Sequence, residues 1–420
     1  MTLLRTRQFL LLQGPCSPFF TQLSRELLER GHGVHLIDLC GGDLIYRWRL
    51  GSRRFRGGLT DFTSQIATWM SQWRITDLVV FGDQRPHHRI AIQAARQLAL
   101  RVQVFEEGYL RPHWITLEPD GVNGCSQLPK DPDWFVEAAA RLGPPPPAQH
   151  SLSPFRVRAT HDVLYHLAGL SNPLLFPGYR GHAPVSAPRE YAGYLRQLTR
   201  KRLERASEAH RLRAFLGHPG PYFVLLLQLD SDAQIRCHSD YPDMVRVLRE
   251  VLLSFAQFAP PDARLLVKNH PLDPGLSGLR RHTQNMAREW QIDHRLLFIE
   301  GGDLNHLLPA AQGAITVNST SGFVALENNC PLLSLGNAIY NLPGLTLSRR
   351  RVPADFWHAP PRPDGKLFQA LKTTLLHTVQ LNGSFYCRPG IALAVHHSTR
   401  RLCTERSRLE ELLSCVPCAA

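Results

Sequence analysis

Four stretches carry residues whose types and spacing suit chemistry. In "VFEEGYLRP" (Val104 to Pro112) an apolar run ends in Glu106 and Glu107, with Arg111 four residues beyond. Successive strand residues point to opposite faces, so the two carboxylates cannot share one task. One is a candidate acid, base or nucleophile and the other is structural; the plain alternative is two loop acids, one of them paired with Arg111. In "VKNHPLD" (Val267 to Asp273) a second apolar run delivers Lys268 and His270. Pro271 holds His270 extended, histidine can move a proton near neutral pH, and Lys268 adds a cation for an anionic ligand. In "VNSTSGFVALE" (Val317 to Glu327) a strand stops at Asn318 and a helix begins within three residues. Backbone N–H groups at a helix start, beside the Ser319, Thr320 and Ser321 hydroxyls, form an anion receptor, and N-capping is the simpler reading. Glu327, at the far end of that helix, is a candidate for sugar hydroxyls. The fourth stretch, "FGDQRPHHR", offers Asp83, Arg85 and His88, and the turns "LQGP" (with Gln13 and Gly14) and "CGGD" follow neighbouring strands.

These residues need strands to carry them. From the N-terminus, "QFLLLQG", "GVHLIDL", "DLVVFGD" and "RVQVFEEG" read as strands, alternating with helical "PFFTQLSRELLERGH", "LTDFTSQIATWMSQW" and "HRIAIQAARQLAL". Such a series builds a parallel sheet with helices on both faces. The break "LGPPPPAQHSLSP" ends it near residue 150. The alternation resumes with "YFVLLLQL", "ARLLVKNHP", "RLLFIEG" and "GAITVNS" as strands between helices. The expected organisation is an N-terminal Rossmann-like, acceptor-side domain over 1–150, a basic connecting segment over 151–215, a C-terminal Rossmann-like donor domain over 216–385 and a basic helical tail over 386–420. Ligands of open α/β sheets bind beyond the carboxyl ends of the strands, and all four stretches fall there.

The chain has 420 residues, a net charge of +13 and a sequence pI near 9.6, which implies an anionic partner. Residues 155–213 hold eleven Arg/Lys against four acids, a net of +7, interleaved with apolar "VLYHLAGL" and "NPLLFPGY". That pattern suits a surface docked on anionic lipid, with Arg200, Lys201 and Arg205 among the contacts, or equally a solvated helix. No nucleic-acid module accompanies the charge. No apolar run is long enough to span a bilayer, and the first apolar run is too short for a signal peptide, so an intracellular protein is expected. Nine scattered cysteines fit reduced thiols. Cys415 and Cys418 have CxxC spacing without a second pair, so no metal is expected.

Taken in order, "FLLLQGP", "GGD", "FGDQRPHHR", "VFEEGYLRP" with "GVNG", "LLQLDSD" with "HSDY", "VKNHPLD", "NSTSGFVALE" and "GNAIYNLPGLT" resemble the capsule polysaccharide β-Kdo glycosyltransferase family, of the single-module KpsS type. The resemblance spans about residues 8–348. It implies a GT-B-like fold, two Rossmann-like doubly wound domains facing a central cleft, and a retaining transferase. The implied reaction moves Kdo from CMP-Kdo to a lysophosphatidylglycerol acceptor at the inner face of the cytoplasmic membrane. It uses no cofactor beyond the donor, and the partners are a KpsC-type Kdo transferase and the capsule export complex. Within it Glu107, His270 and Asp232 are the catalytic candidates; Lys268, Asn318, Ser319, Thr320, Gln228 and Glu327 face the donor; Gln13, Gly14, Asp83, Arg85, His88 and Arg111 lie on the acceptor side. The stretch "LDSDAQI" leaves Asp230 and Asp232 as alternatives for one position. Two other readings are a non-catalytic capsule assembly scaffold and a transferase for another CMP-activated acidic sugar.

Overall fold

The computed structural model describes residues 6–47, 50–150, 154–181, 187–230, 235 and 239–416. The chain forms two compact units. The first comprises Met1–Pro129, Ala138–His182 and Thr373–Ala420, and the second Lys130–Glu137 and Ala183–Lys372. Each is built on one sheet flanked by helices, which bears out the expected two-domain, Rossmann-like, GT-B-like α/β class.

In the first unit the strands are β1 (Gln8–Leu11), β2 (Gly33–Asp38), β3 (Arg53–Arg54), β4 (Asp77–Phe81), β5 (Arg101–Glu107) and β6 (Trp114–Pro119). The helices α1 (Phe19–Glu29), α2 (Gly41–Arg47), α3 (Leu59–Gln72) and α4 (Pro86–Gln97) lie between them. β1 pairs parallel with both β2 and β4, and β4 with β5, whereas β6 runs antiparallel to β5. Alternation assigns the faces: Leu10, Leu12, Val80, Val102 and Val104 enter one apolar cluster, and Phe9, Leu11, Val79 and Phe105 the other. The helix pattern is equally direct. α1 buries Phe19, Phe20, Leu23 and Leu27 at three- and four-residue spacing.

α5 (Pro132–Leu142) leads out of this series, and then α6 (Phe155–Gly169) and α7 (Asn172–Leu175) return to the first unit. The 31-residue α8 (Ala187–Gly217) belongs to the second unit. Sequence pattern treats residues 155–213 as one segment; in the fold its two halves belong to different units, because α6 packs on α2 while Arg200 of α8 pairs with Glu300.

The second unit has strands β7 (Tyr222–Leu226), β8 (Arg264–Lys268), β9 (Leu296–Ile299), β10 (Gly313–Thr316), β11 (Leu332–Ser334) and β12 (Leu347–Ser348), with helices α9 (Met244–Phe258), α10 (Leu279–Glu289), α11 (Leu304–Leu307) and α12 (Ser321–Glu327). Its sheet runs β12-β11-β10-β7-β8-β9, all parallel. β7 and β8 are buried at every residue, as strands covered on both faces must be. Asp243 caps α9 by accepting the Arg246 N–H at 2.8 Å.

α13 (Gly365–Thr378) leads to β13 (Gln380–Asn382), which pairs antiparallel with β6 and completes the first sheet in the order β13-β6-β5-β4-β1-β2-β3. α14 (Arg388–Leu402) then packs on α1, and α15 (Arg408–Cys415) follows. The stretch over 386–420 that sequence alone draws as a tail therefore contributes to the first core through Ile391, Ala394 and Leu402. Phe385, at the end of the expected 216–385 domain, joins the same core because the first unit takes up the chain again at Thr373.

Candidate functional site

In each unit the strand order reverses beside its first strand, between β1 and β4 and between β7 and β10. Ligands of open α/β sheets bind at such switch points. A glutamine stands two residues past the first strand in both units, Gln13 and Gln228, and both are buried.

In the second unit Gln228 spans the switch point. Its amide donates to Asn318 Oδ1 at 3.0 Å, while its Oε1 accepts the Asn318 N–H at 3.0 Å and the Thr316 hydroxyl at 3.4 Å. Asn318, Ser319, Thr320 and His270 remain partly exposed. Ser319 Oγ accepts the Ser321 N–H at 3.1 Å, so part of the donor set foreseen at this turn is already engaged. α12 starts hard against Tyr340, whose hydroxyl donates to the Ser319 carbonyl at 2.7 Å. A Cβ at Gly322 would lie 2.4 Å from that ring, which explains the glycine. Lys268 is buried at the end of β8, and burial first, then the Lys201 charge, lowers its pKa. Beside it Asn269 ties the turn together, donating to Asp273 and to Glu300, each at 2.8 Å. His270 Nδ1 accepts the Leu272 N–H at 3.1 Å, which puts the proton of the neutral ring on Nε2. Asp230 accepts the Met244 N–H at 2.8 Å at the start of α9, a helix-capping contact. Asp232 lies outside the described residues. Glu327 is set apart at the other end of α12, paired with Lys372 at 2.8 Å.

In the first unit the switch point is filled. Gln13 donates to the Tyr165 hydroxyl (2.8 Å), Cys40 Sγ (3.2 Å) and the Tyr179 hydroxyl (3.3 Å), and Arg85 donates to Gln13 Oε1 at 3.1 Å and to the Gly14 carbonyl at 3.2 Å. Tyr165 comes from α6 and also donates to Asp43 at 2.9 Å. The glycines of "CGGD" serve this cover. A Cβ at Gly42 would fall 2.6 Å from the Tyr165 ring, and one at Gly41 2.3 Å from the Ala168 carbonyl oxygen. Burial and then Asp43 push the Cys40 thiol up to about 12, so it stays protonated and inert near neutral pH. Asp83 accepts the Val122 N–H at 3.2 Å, and His88 donates through Nδ1 to the Gly82 carbonyl at 2.8 Å. Arg111 donates to the Gly108 carbonyl at 3.2 Å.

Glu107 sits two strands along, at the carboxyl end of β5, half-buried on the Phe105 face. Its Oε1 accepts the Tyr386 hydroxyl at 3.0 Å and meets the Arg158 guanidinium at 3.3 Å. Arg158 also lies 4.7 Å from the centroid of the Tyr386 ring. Burial, then the Glu107 charge, raises the Tyr386 pKa, so the phenol keeps its proton and donates. Both contacts engage one oxygen, and among the described residues no hydrogen bond to Oε2 is seen. Glu106 lies on the opposite face, its Oε2 3.5 Å from where a Gly82 Cβ would stand. Glu107 is held in place by Tyr386 and Arg158, side chains from elsewhere in the fold.

Sequence reading missed Tyr386, Tyr165, Tyr179 and Asn269, and counted Arg158 only as one charge among eleven. Asn269 had a local signal, since it lies between Lys268 and His270. Tyr386 had none, being 279 residues from its partner. Among the described residues no group of three or more His, Cys, Asp or Glu is arranged to hold a metal.

Two doubly wound α/β units, one with a held carboxylate at a strand end and one with a polar turn beside a buried lysine, make this a two-unit, Rossmann-like protein of the GT-B-like class. Residues 76–386 match the family described as "Capsule polysaccharide biosynthesis protein", and the chain belongs to that family. It is 34% identical to the Escherichia coli capsule polysaccharide export protein KpsS over 91% of this chain and 98% of that one. It is 33% identical to the capsule polysaccharide modification protein LipB of Neisseria meningitidis serogroup B, over 90% of this chain and 91% of the relative. Among solved structures, the KpsC β-Kdo 2,7 transferase of Thermosulfurimonas dismutans is similar at 14% identity and a TM-score of 0.46, covering 94% of this chain and 99% of that one.

Proposed function

We propose that the protein is a retaining β-Kdo glycosyltransferase that moves Kdo from CMP-Kdo to a lysophosphatidylglycerol acceptor and so begins the poly-Kdo linker of a capsular polysaccharide. The observation that carries this reading is Glu107, a half-buried carboxylate gripped on one oxygen by Tyr386 and Arg158, in a chain of the capsule biosynthesis family. The choice of Kdo and of the lipid acceptor rests on the motif resemblance.

CMP-Kdo carries a phosphodiester and a carboxylate. Lys268, with the turn at Asn318, Ser319 and Thr320, supplies cation and donors for the phosphate, and Gln228 fixes Asn318 in register. His270, with its neutral-form proton on Nε2, can donate a hydrogen bond to the leaving phosphate oxygen. Retention through a carboxylate takes two inversions. Glu107 attacks the anomeric carbon as the bond to the phosphate breaks and CMP departs with its electron pair; an acceptor hydroxyl then displaces the carboxylate, its proton passing to solvent. Fixing one oxygen by two contacts sets the angle at which the other is presented. On the acceptor side, Gln13, Gly14, Arg85, Asp83 and His88 shape the edge of the first sheet, and Arg111 holds the turn after Glu107.

No helix among the described residues is long and apolar enough to cross a membrane. The reading places the protein peripherally on the inner face of the cytoplasmic membrane, handing its product to a KpsC-type transferase and the capsule export complex. The test is incubation of the purified chain with CMP-Kdo and a lysophosphatidylglycerol analogue. Mass spectrometry should show one Kdo added, in β linkage by NMR. Absence of both product and CMP release would leave the scaffold reading, and transfer from a different CMP-activated acid would replace the sugar.

A further inference from the structure

Helix α6 has two unlike faces. Inward it is polar: Arg158 meets Glu107, His161 Nδ1 contacts the Tyr46 hydroxyl at 2.8 Å, and Tyr165 bonds Asp43. Outward it is apolar, with Val163, Leu164, Leu167 (57% exposed) and Leu170 (72%) continued by Leu174 (79%) of α7. Residues 163–179 contain no Asp, Glu, Lys or Arg. A surface helix of a water-soluble protein usually has the reverse arrangement.

The rim of this ridge is basic. Arg56 donates to the Leu174 carbonyl at 3.1 Å, Arg53 and Arg54 are exposed on β3 just before it, Arg180 follows α7, and Arg156 is exposed at the start of α6. The neighbouring acids are engaged locally: Asp61 accepts the Gly58 N–H at 2.8 Å and Asp162 lies 3.7 Å from His166. On α8, by contrast, Arg200 pairs with Glu300 and Lys201 donates to the Pro271 carbonyl at 2.8 Å. Two of the cations that sequence reading assigned to lipid therefore hold the second unit together.

We propose that the α6–α7 ridge, with its arginine rim, docks the protein on an anionic lipid surface. The leucines enter the boundary between headgroups and acyl chains while Arg56, Arg180 and Arg156 meet headgroup phosphates. The inference deepens the reading of a lipid acceptor, since the helix that touches lipid on one side positions the partner of Glu107 on the other.

The test reads binding rather than transfer. Full-length protein is sedimented with vesicles of equal parts phosphatidylglycerol and phosphatidylcholine, and with phosphatidylcholine alone, at low and high salt. The expected result is at least about tenfold stronger partitioning to the anionic vesicles, weakened by salt. Leu167→Asp with Leu170→Asp and Leu174→Asp should lower partitioning by about tenfold or more while CMP binding persists. Arg56→Glu with Arg180→Glu should remove the preference for phosphatidylglycerol, and Arg202→Glu with Arg205→Glu on α8 should leave it. Wild-type binding in the leucine or the Arg56/Arg180 variant would overturn the proposal. So would a wild-type chain indifferent to vesicles, whose ridge variants instead lose a protein partner. Vesicle binding as expected without Kdo transfer would sink the enzymatic reading and leave the docking surface standing.

Discussion

The two switch points start from the same residue and reach opposite ends. Gln13 and Gln228 each stand two residues past the first strand of their unit, at the reversal of strand order. Around Gln13 the crevice is closed by Tyr165, Tyr179, Cys40 and Arg85, and the adjoining glycines admit the covering helix. Around Gln228 the side chain holds the end of the adjoining strand, Thr316 and Asn318, and the turn beyond it stays partly exposed next to a buried lysine. A switch point is thus an opportunity that the fold supplies, and the side chains delivered from elsewhere decide whether it binds a ligand. In the first unit they close it, and the carboxylate met by Tyr386 and Arg158 stands apart from it at the end of β5.

The largest effects should separate chemistry from donor binding. Glu107→Gln and His270→Ala should each lower turnover by at least about 100-fold, with CMP affinity by calorimetry little changed. Near-normal turnover in Glu107→Gln would shift the role to Glu106 or Asp232.

Closing the first crevice has a steric signature. Gly42→Ala places a methyl 2.6 Å from the Tyr165 ring and should destabilise the protein by up to about 3 kcal/mol, the range for overpacking. Denaturant unfolding measures this, and CMP affinity should not change, because the glycine belongs to the other unit. If Gly42→Ala is neutral in stability and damages CMP binding, the "CGGD" turn is a ligand site and the contrast between the units disappears.

The open crevice should respond to polar groups instead. Ser319→Ala with Thr320→Ala should weaken CMP binding by roughly 1–2 kcal/mol, as for lost hydrogen bonds to a charged ligand. The expected loss is modest because Ser319 Oγ already accepts from Ser321. Unchanged affinity would remove this turn from the donor site.

The parallel series and the strand-end motifs were legible because buried runs such as "YFVLLLQL" and "ARLLVKNHP" end at turn residues that fix where the side chains emerge. The first sheet's far edge was not. β13 pairs Gln380 with Thr116, and nothing local in either stretch specifies that register. The cover at Gln13 was illegible for a different reason: α6 is amphipathic with its polar side inward, so "VLYHLAGL" reads as a lipid contact while its tyrosine bonds Gln13 and Asp43. The same inversion hid Arg158. A count of charges cannot separate an arginine that meets Glu107 from those left in solvent, whereas the fold does so at once.

The smallest expected effect tests the cation of the open crevice. Burial, and after it the neighbouring Lys201, lowers the Lys268 pKa below its ordinary value of 10.5. An anionic donor needs the ammonium form, so CMP affinity should fall as pH rises through that lowered pKa, earlier than for an exposed lysine. Stability should respond in the opposite sense. Between the lowered pKa and the ordinary one the unfolded chain binds the extra proton, so this group's contribution to folding improves as pH rises across that window. Lys201→Gln removes the second cause, and the descending limb of CMP affinity should move to higher pH. Lys268→Met should abolish the limb and weaken binding at neutral pH. If the limb stays fixed in Lys201→Gln and survives in Lys268→Met, another group titrates with the donor, and the buried lysine of the second unit belongs with the filled crevice of the first as a structural feature.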